Sequence, residues 1–141
     1  MDKAIKIAIV AILIAAVAVA IVVRQDKSGS DNVPAEFEPE QLTGKGLPVM
    51  IDLGSDQCIP CKMMAPILEE LKTEYTDKLS VHFLDVRKLP ALSKAYNIKL
   101  IPTQIFYDSS GKELFRHEGF YAKEDIIAKW REFGIKLDQK Q

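Results

Sequence analysis

An unbroken run of apolar residues lies near the N-terminus of this chain. Residues 7–23 are seventeen consecutive side chains drawn only from Ala, Ile, Leu and Val. A helix packed on the surface of a globular core needs a polar face, and this run has none. At about 1.5 Å per residue it would form a helix of about 25 Å, which spans a thin bilayer. We therefore predict an N-terminal transmembrane helix over residues 7–23.

Charged residues bracket the apolar run. Lys3 and Lys6 lie in a short leader, residues 1–6, and Arg24 and Lys27 follow the run. The two flanks carry similar charge, so the positive-inside rule hardly distinguishes the two orientations. The layout nevertheless resembles that of an exported protein. It predicts a single-pass protein of the cell membrane whose C-terminal part lies on the outer, periplasmic or extracytoplasmic side.

A cleaved signal peptide is the alternative interpretation of the same segment. Residues 16–18 and 18–20 both have the small-x-small pattern that a signal peptidase accepts. Against cleavage, the apolar run continues through residues 21–23 without a Gly or Pro to end the helix. We favour an uncleaved signal anchor, and either interpretation exports the rest of the chain.

Composition divides the remainder into a tether and a folded domain. Residues 24–35 are polar and turn-forming, which suits a flexible linker. All eleven aromatic residues lie at or after Phe37, so we predict one domain over residues 36–137. Without the apolar run, the hydrophobic fraction falls from 48 % to about 40 %. The net charge of −1, with no Lys/Arg run, argues against nucleic acid as a partner.

Hydrophobic periodicity predicts alternating strands and helices. Residues 47–54 form an apolar run of strand length, which indicates a buried central strand. Apolar residues at three- and four-residue spacing predict a helix over residues 60–76, kinked at Pro66. The other predicted elements are strands at 79–86, 103–107 and 112–117, a helical turn at 91–96, a hairpin turn at 108–111 and a helix at 122–133 with Ile126, Ile127 and Trp130 inward. The order β-α-β-α-β-β-α predicts an α/β fold with a central mixed sheet flanked by helices.

Two cysteines lie where the predicted central strand gives way to a helix. Cys58 and Cys61 bracket Ile59 and Pro60, and Pro60 occupies a helix-start position. The unpaired N–H groups and the positive dipole end of that helix should stabilise a thiolate at Cys58 and make it nucleophilic. Cys61, one turn further in, is placed to attack a mixed disulfide and release the reduced partner.

Between residues 36 and 135 the chain resembles the thioredoxin family. The matching segments are the strand at 49–52, Cys-Ile-Pro-Cys-Lys at 58–62, Pro66, the strand at 81–85, and Tyr-Asn-Ile at 96–98 leading to Ile-Pro-Thr at 101–103. The resemblance implies a thioredoxin-like fold and a cis peptide bond between Ile101 and Pro102, packed beside the dithiol. It also implies that the backbone of Ile101 pairs with a bound substrate strand, with Ile59 and Pro60 on the substrate-binding rim.

The resemblance assigns a third catalytic residue. Asp52 stands six positions before Cys58 and matches the family's buried carboxylate beneath the active site. Burial should raise the pKa of such a carboxyl and let it exchange a proton with Cys61 through water.

Three positions depart from the family pattern. Gln57 replaces the Trp that usually precedes the first cysteine, and Ile59 replaces the usual Gly. Phe83 stands where the family has a buried Lys, which would lower the pKa of Asp52. Its loss favours a neutral, proton-donating Asp52.

The predicted function is a thiol–disulfide oxidoreductase, specifically a membrane-tethered, extracytoplasmic protein-disulfide reductase that needs no cofactor. Asp52, Lys62 and the lack of a large insertion before the Ile-Pro-Thr loop resemble reducing thioredoxins more than oxidases. Because the external space is oxidising, the resemblance implies a membrane thiol-transfer protein as electron donor and protein disulfides as substrates.

Several alternatives stay open. The same cysteine pair could serve a disulfide oxidase or isomerase. The fold could instead be a tethered binding or chaperone module in which the dithiol is incidental. A zinc site is disfavoured, because His82 and His117 are thirty-five positions apart and no close His pair accompanies the cysteines. We therefore predict no metal.

Overall fold

The computed structural model describes residues 34–137 of the protein. The predicted leader, transmembrane helix and nearly all of the predicted linker, residues 1–33, lie outside the described residues. Among the helices between residues 34 and 137, none has the length and apolar character needed to cross a membrane.

The described chain alternates strands and helices. A 3-10 turn at Ala35–Phe37 and a short helix α1 at Pro39–Leu42 come first. They are followed by β1 Val49–Gly54, α2 Ile59–Glu74, β2 Ser80–Asp85, α3 Ala91–Ala95, β3 Thr103–Tyr107, β4 Glu113–Glu118 and α4 Lys123–Glu132. From β1 onward the predicted order is confirmed, and every predicted element begins and ends within two residues of its counterpart.

The four strands form one mixed sheet in the order β2-β1-β3-β4. Strand β1 runs parallel to β2 and antiparallel to β3, and β3 is antiparallel to β4. All six residues of β1 are buried, which explains why this strand has an apolar run rather than an alternating pattern. The prediction of a buried central strand is therefore confirmed.

Helices cover both faces of the sheet. Successive side chains of a strand point to opposite faces, so Met50 and Phe106 lie on one face while Ile51 and Ile105 lie on the other. The first face packs against α2 and α4, with Trp130 fully buried. The second face packs against α3 and the N-terminal turns through Leu92, Tyr96, Phe37 and Leu42. Of the residues predicted to face inward on α4, Ile126 is also buried, and Ile127 is half-buried against the same cluster.

Candidate active site

The cysteine pair sits at the N-terminus of α2. Cys58 is the N-cap residue of this helix and is joined to Cys61 by a disulfide. The N–H of Cys61 donates a hydrogen bond of 3.4 Å to Cys58 Sγ. Helix N-termini favour negative charge, so this position stabilises a thiolate on Cys58 once the disulfide is reduced. Cys58 is half-buried whereas Cys61 is only 3 % exposed, so Cys58 is the more accessible cysteine of the pair.

The proline loop lies directly beside the disulfide. The Ile101–Pro102 peptide bond is cis, as predicted. The carbonyl oxygen of Ile101 is 3.9 Å from Cys58 Sγ. Pro102 is buried, and its carbonyl accepts a hydrogen bond of 2.8 Å from the N–H of Gly119. The loop is thereby attached to the end of β4 and presents the backbone of Ile101 next to the reactive sulfur.

Asp52 is fully buried on the face of β1 that packs against α2. Gln104 on β3 donates a hydrogen bond of 2.7 Å from Nε2 to Asp52 Oδ1. Burial raises the pKa of Asp52 to about 6, although the hydrogen bond from Gln104 opposes part of the shift. On β2, the residue paired with Asp52 is Phe83, which cannot stabilise the ionised carboxyl. The carboxyl therefore changes protonation state near neutral pH.

Gly54 lets the cysteine pair approach the end of β1. A Cβ at this position would lie 3.0 Å from Phe83 Cε2 and 3.2 Å from Cys61 Sγ. Side chains two residues apart on a strand share a face, so Gly54 and Asp52 both face α2. The buried Cys61 therefore packs against Gly54, on the same face of β1 as the Asp52 carboxyl and one side-chain position further along the strand.

We expect Gly54→Ala to destabilise the domain by about 1–3 kcal/mol, because the added methyl overpacks a filled site. It should also change the rate at which dithiothreitol reduces the disulfide, since the methyl displaces Cys61. Urea unfolding and reduction kinetics measure the two effects. Gly46→Ala is the matched control: Gly46 has a φ of 91° and open space around it, so its substitution strains the backbone without touching the cysteines. Equal reduction rates in both variants would contradict this account of Gly54.

Side chains fix the loop that precedes Cys58. Arg87 Nη1 donates a hydrogen bond of 3.0 Å to Gln57 Oε1. The ion pair between Lys88 Nζ and Asp56 Oδ2 is 2.8 Å long. Gln57, which stands where the family usually has Trp, thus contacts the segment after β2. Arg87 could not be identified from the sequence, because its partner is thirty positions away.

Four exposed apolar side chains lie on the segments that carry the cysteines and the proline loop, or follow β4, whose end is bonded to that loop. Ile59 is 76 % exposed between the two cysteines, and Leu100, next to the proline loop, is 53 % exposed. Met63 on α2 and Phe120 after β4 are also exposed. We call these four residues the apolar rim. Phe120 was not identified from the sequence, because it belongs to no periodic segment.

A cleft of about 570 Å³ opens on the other side of the pair, between α2 and β2. Cys61, Leu68 and Phe83 contribute to its wall, and Lys62 lies on its edge. Cys61 therefore borders the cleft even though it is almost fully covered.

The two histidines contact residues other than the cysteines. His82 Nε2 is hydrogen-bonded to Ser80 Oγ at 2.8 Å, and the ring of His117 stacks on Tyr121 with centroids 4.0 Å apart. Over residues 34–137, no group of three or more His, Cys, Asp or Glu side chains could hold a metal ion.

Comparisons with known proteins identify the family of this chain. The thioredoxin family model matches residues 31–132. A thioredoxin-like protein of Synechocystis is 33 % identical over 94 residues, covering 67 % of this chain and 89 % of that protein. Thioredoxin of Staphylococcus aureus is 35 % identical over 92 residues, covering 65 % of this chain and 85 % of its own. The chloroplastic M-type thioredoxin of Spinacia oleracea is 37 % identical over 67 residues, covering 48 % of this chain but only 37 % of the spinach protein.

A solved structure shares the architecture. The exposed lipoprotein thioredoxin of Streptococcus pneumoniae superposes with a TM-score of 0.56 at 22 % identity, covering 62 % of this chain and 86 % of that one. At this identity the likeness concerns the fold alone. The family match and the disulfide-forming cysteine pair at the start of α2 lead to one conclusion. The chain belongs to the thioredoxin family of thiol–disulfide oxidoreductases.

Proposed function

We propose that this protein is a membrane-tethered reductase of protein disulfides whose domain lies outside the cytoplasm. One observation carries the proposed redox activity. Cys58 is half-buried, and its sulfur lies 3.9 Å from the carbonyl oxygen of Ile101. An extended substrate that pairs with this backbone brings its own disulfide to Cys58. The apolar rim supports docking of apolar side chains on either side of the substrate cysteine.

The reaction transfers two electrons from the dithiol to the substrate. The Cys58 thiolate attacks one sulfur of the substrate disulfide, and the other substrate sulfur leaves as a thiolate that takes up a proton. Cys61 then attacks Cys58, so the bond between Cys58 and the substrate breaks and the second substrate thiol is released. The products are a reduced substrate and the Cys58–Cys61 disulfide.

Asp52 is proposed as the group that accepts the Cys61 proton during the second attack. A thiol attacks only after it loses its proton, and a buried thiol is poorly solvated for that step. The pKa of Asp52, raised by burial to about 6, makes its carboxyl a usable acceptor near neutral pH. Water in the neighbouring cleft is the proposed carrier between the two groups.

Two features support reduction rather than oxidation as the physiological direction. Asp52 is retained under the dithiol, and the chain between Cys61 and Pro102 holds only the rest of α2, β2 and α3. The external space is oxidising, so the dithiol must be regenerated by electrons from a donor. We propose a membrane thiol-transfer protein for this role.

A turnover assay on the full chain, purified in mild detergent, tests the redox proposal. With dithiothreitol as electron source, the chain should accelerate the reduction of a disulfide-bonded protein such as insulin. Oxidation of a reduced, unfolded protein by the disulfide form at a faster rate would identify an oxidase instead. Binding of unfolded protein with no acceleration of either reaction would identify a binding module.

The tether rests on the apolar run at residues 7–23, which has charges on both sides and no polar face. An exposed lipoprotein thioredoxin with the same fold provides a precedent for a thioredoxin held at a bacterial surface. With the run as an uncleaved anchor, the linker at residues 24–35 lets the domain reach substrates near the membrane.

Membrane fractionation of a C-terminally tagged full chain in bacteria tests the tether. We expect the tag in the membrane fraction and open to protease added outside the inner membrane. Ile14→Arg combined with Val17→Arg should abolish membrane retention, because each charge at the helix centre costs about 3 kcal/mol. Ile14→Leu with Val17→Leu is the matched control. A protease-protected tag would contradict the orientation, and a mature chain shortened by about twenty residues would identify a cleaved signal peptide.

A further inference from the structure

A buried amide faces the carboxyl of Asp52 from the neighbouring strand. Gln104 and Asp52 are register partners in the antiparallel pairing of β3 with β1, and both are 0 % exposed. Gln104 lies in β3 between Thr103 and Ile105, both of which are also buried. Burying a polar side chain in such a strand costs free energy unless it makes hydrogen bonds. The 2.7 Å bond to Asp52 Oδ1 pairs the Gln104 Nε2 donor, while Gln104 Oε1 has no hydrogen-bond partner among the described residues.

The same contact makes the two carboxyl oxygens inequivalent. Oδ1 accepts the Gln104 N–H, whereas the buried Oδ2 has no hydrogen-bond partner among the described residues. An oxygen that already accepts a donor is a poor site for a further proton, so the proton of the neutral carboxyl belongs on Oδ2. The amide also holds the carboxyl plane in one orientation.

We propose that Gln104 is a positioning residue that fixes the Asp52 carboxyl and leaves Oδ2 alone to exchange a proton with Cys61. The inference rests on the proposed reductase mechanism and deepens it. In the mixed disulfide, the Cys61 proton passes to Oδ2 through water as Cys61 Sγ bonds to Cys58 Sγ. The bond from Cys58 to the substrate breaks, and its electron pair leaves with the substrate sulfur, which takes a proton from solvent.

Gln104 is the polar side chain in contact with Asp52. The register partner of Gln104 on β4 is the titratable His117, whose Nε2 lies 3.2 Å from the carbonyl oxygen of Phe120. Strand β2 presents Phe83, and α4 contributes apolar side chains such as Trp130 to this face. Helix α2 presents Cys61, the titratable group that packs against the next residue of β1 on the same face, Gly54. The charged side chains of the adjacent cleft are Asp56, Lys62, Glu69 and Lys72. They line the outer side of α2 and its preceding loop.

Removal of the Gln104 amide should shift the pKa of Asp52 in a predictable direction. The hydrogen bond from Gln104 lowers the pKa of Asp52, so its loss raises that pKa further. A carboxyl with a higher pKa is protonated over a wider pH range and cannot accept the Cys61 proton there. The rate at which Cys61 resolves the mixed disulfide rises with pH as Asp52 loses its proton. Without the amide, this rising limb of the pH profile should therefore move to higher pH.

Gln104→Met tests the inference, because Met has a similar volume and no amide. A mixed disulfide is formed between the full chain and a cysteine-containing peptide, and its resolution by Cys61 is followed in a single turnover from pH 5 to 9. We expect the rising limb to move up by about one pH unit, which makes resolution about tenfold slower on that limb. Ile105→Val, on the opposite face of β3, is the matched control for lost packing and should leave the limb in place.

The double variant separates positioning from a purely structural role. In the Asp52→Asn background, Gln104→Met should cause no shift of the pH profile. An unchanged profile in Gln104→Met alone, or an equal shift in both backgrounds, would overturn the inference. A chain that forms no mixed disulfide at Cys58 would instead refute the proposed function.

A spectroscopic measurement on the unmutated chain avoids dependence on variants that fold poorly. Below pH 5 the carboxyl stretch of Asp52, assigned by its loss in Asp52→Asn, should appear as one narrow infrared band. Two bands of unequal hydrogen bonding would show that the proton occupies either oxygen and would overturn the assignment to Oδ2.

Discussion

Cys58→Ser is expected to abolish the reduction of protein disulfides by the full chain, with turnover lower by at least about three orders of magnitude. A serine hydroxyl stays protonated at neutral pH and does not attack a disulfide, so the first step is lost. Cys61→Ser retains that step. Because Cys58 remains at the N-terminus of α2, this variant should still attack, but its mixed disulfide cannot be resolved.

Intact-mass measurement distinguishes the two variants. After incubation with a disulfide-bonded peptide, the Cys61→Ser chain should carry one peptide mass, released by dithiothreitol, while the Cys58→Ser chain carries almost none. Because Cys61 is only 3 % exposed, we expect that it does not replace Cys58 as the attacking residue. Equal trapping by both variants, or trapping by Cys58→Ser alone, would reverse the assigned roles.

Asp52→Asn is expected to raise the free energy of unfolding of the oxidised domain relative to the unmutated chain. The gain should be larger at pH 7 than at pH 4. Burial raises the pKa of Asp52 from 3.8 to about 6, so the folded state binds the proton more tightly than the unfolded state. The contribution of Asp52 to stability is therefore highest below about pH 4 and falls as the pH rises toward 6. The loss at pH 7 corresponds to about 3 kcal/mol. The variant lacks this loss, and the unpartnered Gln104 Oε1 can accept a hydrogen bond from its amide.

Urea unfolding of the oxidised chain at pH 4, 5, 6 and 7 measures this effect. The difference in unfolding free energy between variant and unmutated chain should grow over that range. Asp108→Asn is a control of opposite sign. Asp108 accepts hydrogen bonds from Ser110 and Lys112, which lower its pKa, so its carboxylate contributes stability that is lost as the pH falls. A pH-independent difference for Asp52→Asn would show that the carboxyl titrates as in the unfolded chain.

The elements with strong local patterns were predictable from the sequence. The apolar run of β1 is long enough for a strand and too short for a helix, and the three- and four-residue spacing identifies α2. Helix α1 was not predicted, because its four residues, Pro39–Leu42, are too few to show a period. The order of the strands could not be read from periodicity, since it depends on which edges of β1 are paired.

Some residues of the site were likewise predictable from local sequence patterns, and others were not. Cys58, Cys61 and the cis bond before Pro102 follow from motifs that are local in sequence. Gln104 stands fifty-two positions from the carboxyl it contacts. The one signal for it was a glutamine inside a predicted buried strand, and only the pairing of β3 with β1 gives that residue a partner. The departure at Phe83 was visible in the sequence, and the buried carboxyl with a raised pKa agrees with what it implied.

The reduction potential of the Cys58–Cys61 pair tests the reductase assignment most directly. The full chain in detergent is equilibrated with defined ratios of oxidised and reduced dithiothreitol, and the dithiol fraction is read by thiol alkylation and mass measurement. A reductase with a thioredoxin-like dithiol should give a midpoint near −270 mV. A midpoint near −120 mV, the range of strong disulfide-forming oxidants, would contradict the proposed direction of electron flow.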